Sequence, residues 1–275
     1  MKRISGRVAV VTGAGSGIGR ATSLRLAAAG CDLAIVDING PAAEESAELV
    51  RQTGRRASVH VADVANKQRM EALPVEVLEA HGHVEILINN AGVTIAHAFE
   101  DHSLDDLEWI VGVNLWGVLY GCKFFLPHLR ASDEAHVVNV SSMAGLLGLP
   151  MQSSYCATKA AVRGFTQSLA AELCGTHVGV TAVFPGPVRT NVLRSSRHAA
   201  DGGVEKLADL LERHARPPRV VADKILTAIS RNQSHVTVGA LARLTDWFSR
   251  LSPSAANGIL GWSYRRAKTR WALGP

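Results

Sequence analysis

The chain contains few aromatic residues and few cysteines, and each scarcity narrows the class of protein. Only 5% of its 275 residues are aromatic although 47% are hydrophobic. The core must therefore be mostly aliphatic, which suits a parallel sheet covered by helices on both faces. The four cysteines show no C-x-x-C spacing and fit reduced thiols better than a disulfide framework or a zinc site. The eleven histidines form no H-x-x-x-H pair, and we predict no metal site.

Long apolar segments are scarce as well. No apolar stretch of signal-peptide length follows Met1, and no run approaches the ~20 apolar residues of a membrane span. These absences favour a cytoplasmic protein. No repeat, low-complexity segment or linker rich in proline and serine divides the chain, so we expect residues 1–275 to form a single domain.

Strand-like and helix-like segments alternate along the chain. The predicted strands are 7–12, 32–36, 57–61, 84–89, 135–140, 178–184 and 235–238. The predicted helices are 18–29, 41–53, 66–80, 103–130, 152–174, 217–231 and 240–251. This alternation predicts βαβ units, and therefore an α/β fold with a doubly wound parallel sheet. The carboxyl ends of its strands share one edge, where open sheets bind ligands.

A glycine-rich turn follows the first predicted strand. Residues 13–19 (Gly-Ala-Gly-Ser-Gly-Ile-Gly) open a helix, an arrangement that lets a pyrophosphate approach the helix N-terminus. Asp37 ends the second strand, where a carboxylate can bind both hydroxyls of an adenosine ribose and repel a 2′-phosphate. Because no Arg or Lys stands at Ala14, Ser16 or Ile38 to bind that phosphate, NAD is favoured over NADP.

A tyrosine, a lysine and a serine form the candidate reactive group. Tyr155 and Lys159 are four residues apart and so share one face of a helix, and Ser142 lies thirteen residues before Tyr155. A nearby ammonium favours the phenolate, so we expect Lys159 to lower the pKa of Tyr155 from its usual ~10. A tyrosine tuned in this way exchanges a proton with an alcohol or ketone oxygen, which a serine hydroxyl can hold in place.

Together these segments resemble the short-chain dehydrogenases/reductases, in the standard-length branch of that family. The resemblance covers about residues 5–190. The matching segments are Thr12-Gly13-Ala14-Gly15-Ser16-Gly17-Ile18-Gly19, Asp63-Val64, Asn89-Asn90-Ala91-Gly92, Asn114, Val138-Asn139-Val140-Ser141-Ser142, Tyr155 with Lys159, and Pro185-Gly186-Pro187-Val188-Arg189-Thr190. The resemblance implies a Rossmann-like seven-stranded sheet in the order 3-2-1-4-5-6-7. It also implies a homodimer or homotetramer formed through helices 103–130 and 152–174.

The resemblance implies a role for each matching residue. The catalytic tetrad is Asn114, Ser142, Tyr155 and Lys159. Asn114 would hold a water that links Lys159 to solvent, in a helix that Gly112 and Gly117 loosen. Asp63 would contact the adenine ring and Thr190 the nicotinamide carboxamide. The implied dinucleotide-binding residues are Gly13, Ser16, Gly17, Ile18, Gly19, Asp37, Ile38, Asp63, Val64, Asn90, Ala91, Gly92, Tyr155, Lys159, Pro185, Gly186, Val188 and Thr190.

An apolar loop after Ser142 bears on the substrate. By resemblance, residues 143–151 line the substrate pocket, and their apolar composition favours a hydrophobic alcohol or ketone. The pocket could be extended by Val93, Ile95, Ala96 and Phe99. The alternative, that the leucines of this loop are core or subunit contacts, fits the sequence equally well. Segment 191–216 occupies the position of the family's mobile substrate lid, and its charged residues are more often a solvated surface than a contact to an acidic substrate: Arg194, Arg197, His198 and His214.

The C-terminal segment 243–275 is basic and rich in tryptophan. It holds six basic residues against one acid, a net +5 that equals the charge of the whole chain. Apolar residues recur just before and within it at helical spacing: Leu241, Leu244, Phe248 and Leu251. Such a segment can lie on a membrane surface or serve an anionic partner. The plainer alternative is a helix packed on its own sheet or a sister subunit. Nucleic acid is not expected, because the rest of the chain is neutral.

The residues and the resemblance together predict an NAD(H)-dependent oxidoreductase. It would transfer hydride between nicotinamide and a hydrophobic secondary alcohol or ketone, such as a lipid, steroid or terpenoid. An NADP-linked ketoreductase is one alternative, which Asp37 disfavours. A non-catalytic dinucleotide-binding scaffold is the other, and the intact tetrad argues against it, because a binding module has no need of Tyr155 beside Lys159.

Overall fold

A seven-stranded parallel sheet forms the centre of the molecule. The structure is a computed structural model that describes residues 1–190 and 215–272, with side chains described to residue 266. The strands are β1 Val8–Thr12, β2 Asp32–Asp37, β3 Ala57–Val61, β4 Ile86–Asn89, β5 Ala135–Val140, β6 Val178–Pro185 and β7 His235–Val238. They pair in the order β3-β2-β1-β4-β5-β6-β7. The predicted Rossmann-like, doubly wound sheet and its strand order are confirmed.

Helices cover both faces of this sheet. The helices of the described residues are α1 Gly17–Ala28, α2 Gly40–Arg51, α3 Lys67–His81, α4 Leu104–Val111, α5 Gly117–Ala131, α6 Ser153–Glu172, α7 Pro218–Arg231, α8 Ala240–Leu251 and α9 Pro253–Ala272. Two short 3-10 turns lie at Phe99–Asp101 and Met143–Gly145. Residues 191–214, most of the predicted substrate lid, lie outside the described residues. The single-domain expectation stays a prediction.

The core consists of two apolar layers, one on each side of the sheet. Side chains of successive strand residues point to opposite faces. Val11 of β1 accordingly packs in the layer that contains Leu26 of α1. Its neighbour Val10 packs in the layer that contains Phe125 of α5. Every residue of β1 is buried, as the run of β-branched residues in this strand requires.

The predicted helix 103–130 is interrupted by one turn of π-helix. Gly112–Trp116 separates α4 from α5 and contains Asn114, so the expected loosening near Gly112 and Gly117 is confirmed. The start of α5 also packs tightly, since a Cβ on Gly117 would lie 2.7 Å from Val64 Cγ2.

The same helical stretch is long and apolar. Leu104–Ala131 has a mean hydropathy of 1.4 and is the one helix of the described residues that meets the length and composition of a membrane span. The expectation that no segment approaches such a span was therefore too strict. Phe125 and Leu129 of this stretch are fully buried in the protein core, and 39% of its most apolar window is buried.

The C-terminal region is more helical than the sequence indicated. The predicted helix 240–251 is present as α8, and a second helix, α9, follows it after Ser252. Pro253 reads as a helix breaker in sequence but suits the first turn of a helix, where its missing N–H is not needed. Gly258 and Gly261 further weaken the helical signal of this segment.

Candidate active site

Tyr155 and Lys159 lie on the same face of α6, as their spacing predicts. The Lys159 Nζ atom is 5.9 Å from the centroid of the Tyr155 ring. Lys159 is only 4% exposed, and its ammonium donates a hydrogen bond of 3.1 Å to the backbone carbonyl of Val140 at the end of β5. The helix therefore holds the cation at the carboxyl edge of the sheet.

Burial controls the protonation of both side chains. Removal from water disfavours the charged form of an ionisable group. It lowers the pKa of Lys159 to about 8, and it raises the pKa of Tyr155, against which a hydrogen bond with Ser142 acts in the opposite direction. The expected lowering of the Tyr155 pKa by Lys159 is therefore wrong for this structure, because desolvation of the phenol dominates.

Two neighbouring serines have different positions at the end of β5. Ser141 is buried, and its hydroxyl donates a hydrogen bond of 2.8 Å to the carbonyl of Lys159, which ties α6 to the sheet. Ser142 interacts with Tyr155 instead, and its Oγ also accepts a hydrogen bond of 3.1 Å from the Ala144 N–H. The second serine is thus the one placed beside the candidate base.

Asn114 is fully buried within the π-helical turn. Its Oδ1 accepts a hydrogen bond of 2.8 Å from the Val93 N–H. Its Nδ2 donates to the Val93 carbonyl at 2.9 Å and to Thr158 Oγ1 at 3.2 Å. A Cβ on Gly92 would lie 3.2 Å from both Asn114 Oδ1 and Lys159 Nζ, so the backbone passes directly beside these groups. The side chain positions this loop, and its role in holding a water stays a prediction.

Thr12 and Asn90 join the glycine-rich turn to the end of β4. Thr12 Oγ1 accepts hydrogen bonds from the N–H groups of Asn90 at 3.0 Å and Ala91 at 3.1 Å. Asn90 Nδ2 donates to the carbonyls of Thr12 at 2.9 Å and Gly13 at 3.2 Å. A Cβ on Gly13 would lie 2.8 Å from Ala91 Cα, so only glycine fits there. Sequence reasoning gave Thr12 no role, although it is the first residue of the matched motif.

The start of α1 has the features of a pyrophosphate site. Its N-cap residue, Ser16, makes no side-chain capping hydrogen bond, and its first turn contains no acidic residue. The first N–H groups of such a helix can therefore bind an anion. Gly17 has a φ of +52°, and a Cβ placed on it would lie 3.1 Å from Thr190 Cγ2. The turn and the segment after β6 thus meet, and the residues present fit a dinucleotide.

Asp37 and Arg20 both contact the backbone of the glycine-rich turn at Gly15. The Asp37 carboxylate accepts hydrogen bonds from the N–H groups of Gly15 at 2.7 Å and Asn39 at 2.9 Å. The Arg20 guanidinium donates to the Gly15 carbonyl at 2.6 Å and is paired with both carboxylate oxygens of Glu45 at 2.8 and 2.7 Å. Glu45 therefore neutralises the cation next to the expected ribose position.

The other predicted dinucleotide-binding residues lie at the carboxyl edge of the sheet or just beyond it. Asp63 follows β3 and is exposed, and its Oδ1 accepts a hydrogen bond of 2.9 Å from the Ala65 N–H. Ile38 is 67% exposed directly after β2. The Gly186 N–H donates a hydrogen bond of 3.0 Å to the Val238 carbonyl after β6, and Val188 forms an isolated bridge with Arg216.

An open, mostly apolar cavity lies between the loop after Ser142, α6 and α9, and none of the four tetrad residues lines it. Its volume is about 700 Å³. One wall is the loop after Ser142, the floor is α6 and the other wall is α9. The lining residues are Ala144, Gly145, Leu146, Leu147, Gly148, Leu149, Pro150, Ser153, Cys156, Ala157, Ala160, Arg163, Asn257, Leu260 and Gly261.

The cavity differs in part from the pocket expected from the sequence. It includes most of the predicted loop 143–151 but no residue of the segment 93–99. In that segment Ile95 is fully buried, whereas Phe99 is 61% exposed. Helix α9 supplies the wall that sequence reasoning missed. Cys156 has a structural contact, since its Sγ accepts a hydrogen bond of 3.2 Å from the Leu149 N–H.

All four cysteines are free thiols. Within residues 1–190 and 215–266, no group of three or more His, Cys, Asp or Glu side chains is placed to hold a metal ion.

Comparisons with known proteins agree with this fold. The short chain dehydrogenase family profile matches residues 7–201. Oxidoreductase SadH of Mycobacterium tuberculosis, whose own name marks its activity as provisional, is 36% identical over 97% of this chain and 95% of its own length. The 3-oxoacyl-(acyl-carrier-protein) reductase FabG of Thermotoga maritima is 30% identical over 86% of this chain and 95% of its own length.

A solved structure of a similar protein has the same fold. A short-chain dehydrogenase/reductase from Burkholderia phymatum, in complex with NAD, superposes with a TM-score of 0.87 and 29% identity over 93% of this chain and 96% of its own. The chain belongs to the short-chain dehydrogenase/reductase family, and it is an oxidoreductase of that family.

Proposed function

We propose that this protein is an NAD(H)-dependent oxidoreductase that interconverts a hydrophobic secondary alcohol and its ketone. The observation that carries the proposal is the convergence of Ser142, Tyr155 and Lys159 at the end of β5. The choice of NAD is supported by the Asp37 carboxylate next to the turn, by the neutralisation of Arg20, and by the NAD bound to the similar Burkholderia enzyme.

Each of the four tetrad residues has a separate role in the proposed reaction. When bound, the nicotinamide supplies the hydride acceptor for oxidation or the donor for reduction. Tyr155 exchanges a proton with the substrate oxygen, and Ser142 hydrogen-bonds that oxygen. Lys159, with its pKa lowered to about 8, remains mostly protonated at neutral pH and places a positive charge near the phenol. Asn114 holds the Val93 backbone beside these groups.

The cavity supports a substrate with a substantial apolar part. Binding pockets combine apolar walls with a few polar anchors, and this one is walled by Leu147, Leu149 and Leu260. The similar Thermotoga enzyme is named for reduction of acyl groups carried by a protein, which fits a substrate with a hydrocarbon chain. A cytoplasmic location and a homodimer or homotetramer remain predictions.

The first experiment measures NADH formation with secondary alcohols that range from short aliphatics to steroids, terpenoids and hydroxyacyl lipids. Wild type and Tyr155→Phe are assayed with NAD and with NADP, and NAD binding is measured separately by calorimetry. We expect activity with NAD that rises with the apolar size of the alcohol and that Tyr155→Phe abolishes without loss of NAD binding. Intact NAD binding with no turnover of any alcohol or ketone would favour the scaffold alternative.

A further inference from the structure

Helix α8 carries an unpartnered apolar stripe, which we call the docking face. It consists of Leu241, Leu244, Trp247 and Leu251, with exposed fractions of 48%, 63%, 65% and 62%. At 100° per residue these side chains fall on one side of the helix. Contiguous exposed apolar side chains of this size mark an interaction surface more often than scattered ones do. The residues that the structure describes leave this side of the helix uncovered, and the alternative that it packs on a sister subunit stays a prediction.

The opposite side of α8 is fixed to the body of the protein. Ala242 and Thr245 are buried. Asp246 accepts a hydrogen bond from His235 Nε2 of β7 at 2.9 Å, and the Nε of Arg250 donates to the same carboxylate at 2.9 Å. The docking face is thus presented outward from a helix that is anchored to the edge strand. The single acid of the basic tail is neutralised in the same contact.

Basic residues flank the docking face. Arg243 and Arg250 are exposed and lie seven residues apart on α8, along the border of the apolar stripe. On α9, Trp262 is 52% exposed, and the Arg266 guanidinium lies over its ring at 5.0 Å from the centroid. Arginine beside tryptophan and leucine is typical of helices that lie in the interface of an anionic membrane.

We propose that α8 docks on an anionic lipid surface, with its apolar stripe in the interfacial region and its arginines at the headgroups. The net charge of +5 in the tail matches the sign of such a surface. A second copy of the chain fits less well. In a two-fold contact the face would meet its own copy, which would bring like charges together.

Helix α9, which follows the docking face in the chain, contributes residues to the apolar cavity. Leu260 and Gly261 of α9 line the cavity, while the adjacent Ile259 and Trp262 are exposed. If Ile259 and Trp262 also reach the lipid, the cavity wall that α9 forms lies close to the membrane. The delivery of a lipid-like substrate in this way rests on the proposed function, whereas membrane docking does not.

Vesicle co-sedimentation of the full chain tests the proposal. The probes are vesicles of phosphatidylcholine with and without phosphatidylglycerol, at low and high salt. We expect binding only to the anionic vesicles, weakened by salt. We expect Leu244→Ser with Trp247→Ser to lower the partition coefficient at least about tenfold, because each removes a large apolar side chain from the interface. Arg243→Gln with Arg266→Gln should reduce the salt dependence.

The matched control variants carry the same types of substitution, apolar to serine and basic to glutamine, at positions outside α8 and α9. Val75 and Leu104 are 57% and 76% exposed, and Val75→Ser with Leu104→Ser should leave vesicle binding unchanged. Lys2→Gln with Lys67→Gln is the control for charge. Circular dichroism and NAD binding verify that each variant is folded, independently of any turnover.

Three results would overturn the proposal. The first is no binding of the wild type to anionic vesicles at low salt. The second is equal binding by wild type and the Leu244/Trp247 variant. The third is a lower molar mass in light scattering for the Leu244/Trp247 variant than for the wild type in the absence of vesicles, which would assign the face to a second copy.

Discussion

The ammonium of Lys159, a side chain that is only 4% exposed, donates a hydrogen bond of 3.1 Å to the backbone carbonyl of Val140. This contact connects α6 to the last residue of β5. A single neutral acceptor does not offset the loss of hydration, and the pKa of Lys159 is accordingly lowered to about 8. The candidate site therefore costs stability at neutral pH, as catalytic arrangements often do.

Replacement of Lys159 by methionine should show how much the buried ammonium destabilises the folded protein. The folded state binds the lysine proton less tightly than the unfolded state, so the penalty is complete below pH 8 and disappears as the pH passes 10.5. From pH 7 to pH 10, the stability of the wild type relative to Lys159→Met should rise by about 2–3 kcal/mol. Guanidinium unfolding at several pH values measures the difference. A constant difference across this range would show that the pKa of Lys159 is not lowered in the folded protein.

Ser142→Ala should both slow the reaction and shift its pH dependence. Loss of the hydroxyl removes a hydrogen bond that lowers the pKa of Tyr155, so the phenol pKa should rise further. Alcohol oxidation requires the basic form, and its rise with pH should move to higher pH, with kcat lower by about 10²–10³-fold. The pH profile of kcat measures both effects. Ser168→Ala, an exposed position on α6, is the control, and an unshifted profile in Ser142→Ala would contradict the assignment.

Gly92→Ala should disturb the site without unfolding the protein. The added methyl group would lie 3.2 Å from both Asn114 Oδ1 and Lys159 Nζ, so one of these groups must move by a few tenths of an ångström. We expect kcat to fall by about tenfold, since displacement by about 1 Å can cost about a hundredfold. Gly164→Ala is the matched control, because nothing lies within 4 Å of its Cβ position. Equal kcat values in both variants would show that the Gly92 contact is unimportant.

The double variant Asp37→Ala with Ile38→Arg should move cofactor preference toward NADP. The change removes the carboxylate that repels a 2′-phosphate and adds a cation at a position that is 67% exposed. We expect the ratio of kcat/KM for NADP over NAD to rise at least about tenfold. Ile38→Arg alone should have a smaller effect, because Asp37 remains. An unchanged ratio in the double variant would mean that the adenosine ribose lies elsewhere.

Much of this architecture could be predicted from the sequence because its signals are local. Strand β1, the turn to Gly19 and Asp37 each follow from patterns of a few residues, and the parallel topology places them at one edge. The pKa of Tyr155 could not be predicted in this way. Its sign depends on whether desolvation or the nearby lysine dominates, which only the packed environment decides.

Helix α9 and the role of Thr158 were not predicted because both depend on tertiary packing. Helix α9 begins at a proline and contains Gly258 and Gly261, so propensity argues against it, and its contact with the cavity depends on tertiary packing. The role of Thr158, which accepts a hydrogen bond of 3.2 Å from Asn114 Nδ2, likewise has no sequence signal beyond its place one residue before Lys159.

Helix α9 forms one wall of the cavity but lies beyond residues 7–201, the part of the chain that matches the family profile. If this cavity takes the substrate, as proposed above, substitutions in α9 change the shape of the pocket and leave the tetrad at the end of β5, on α6 and in the π-helical turn as it is.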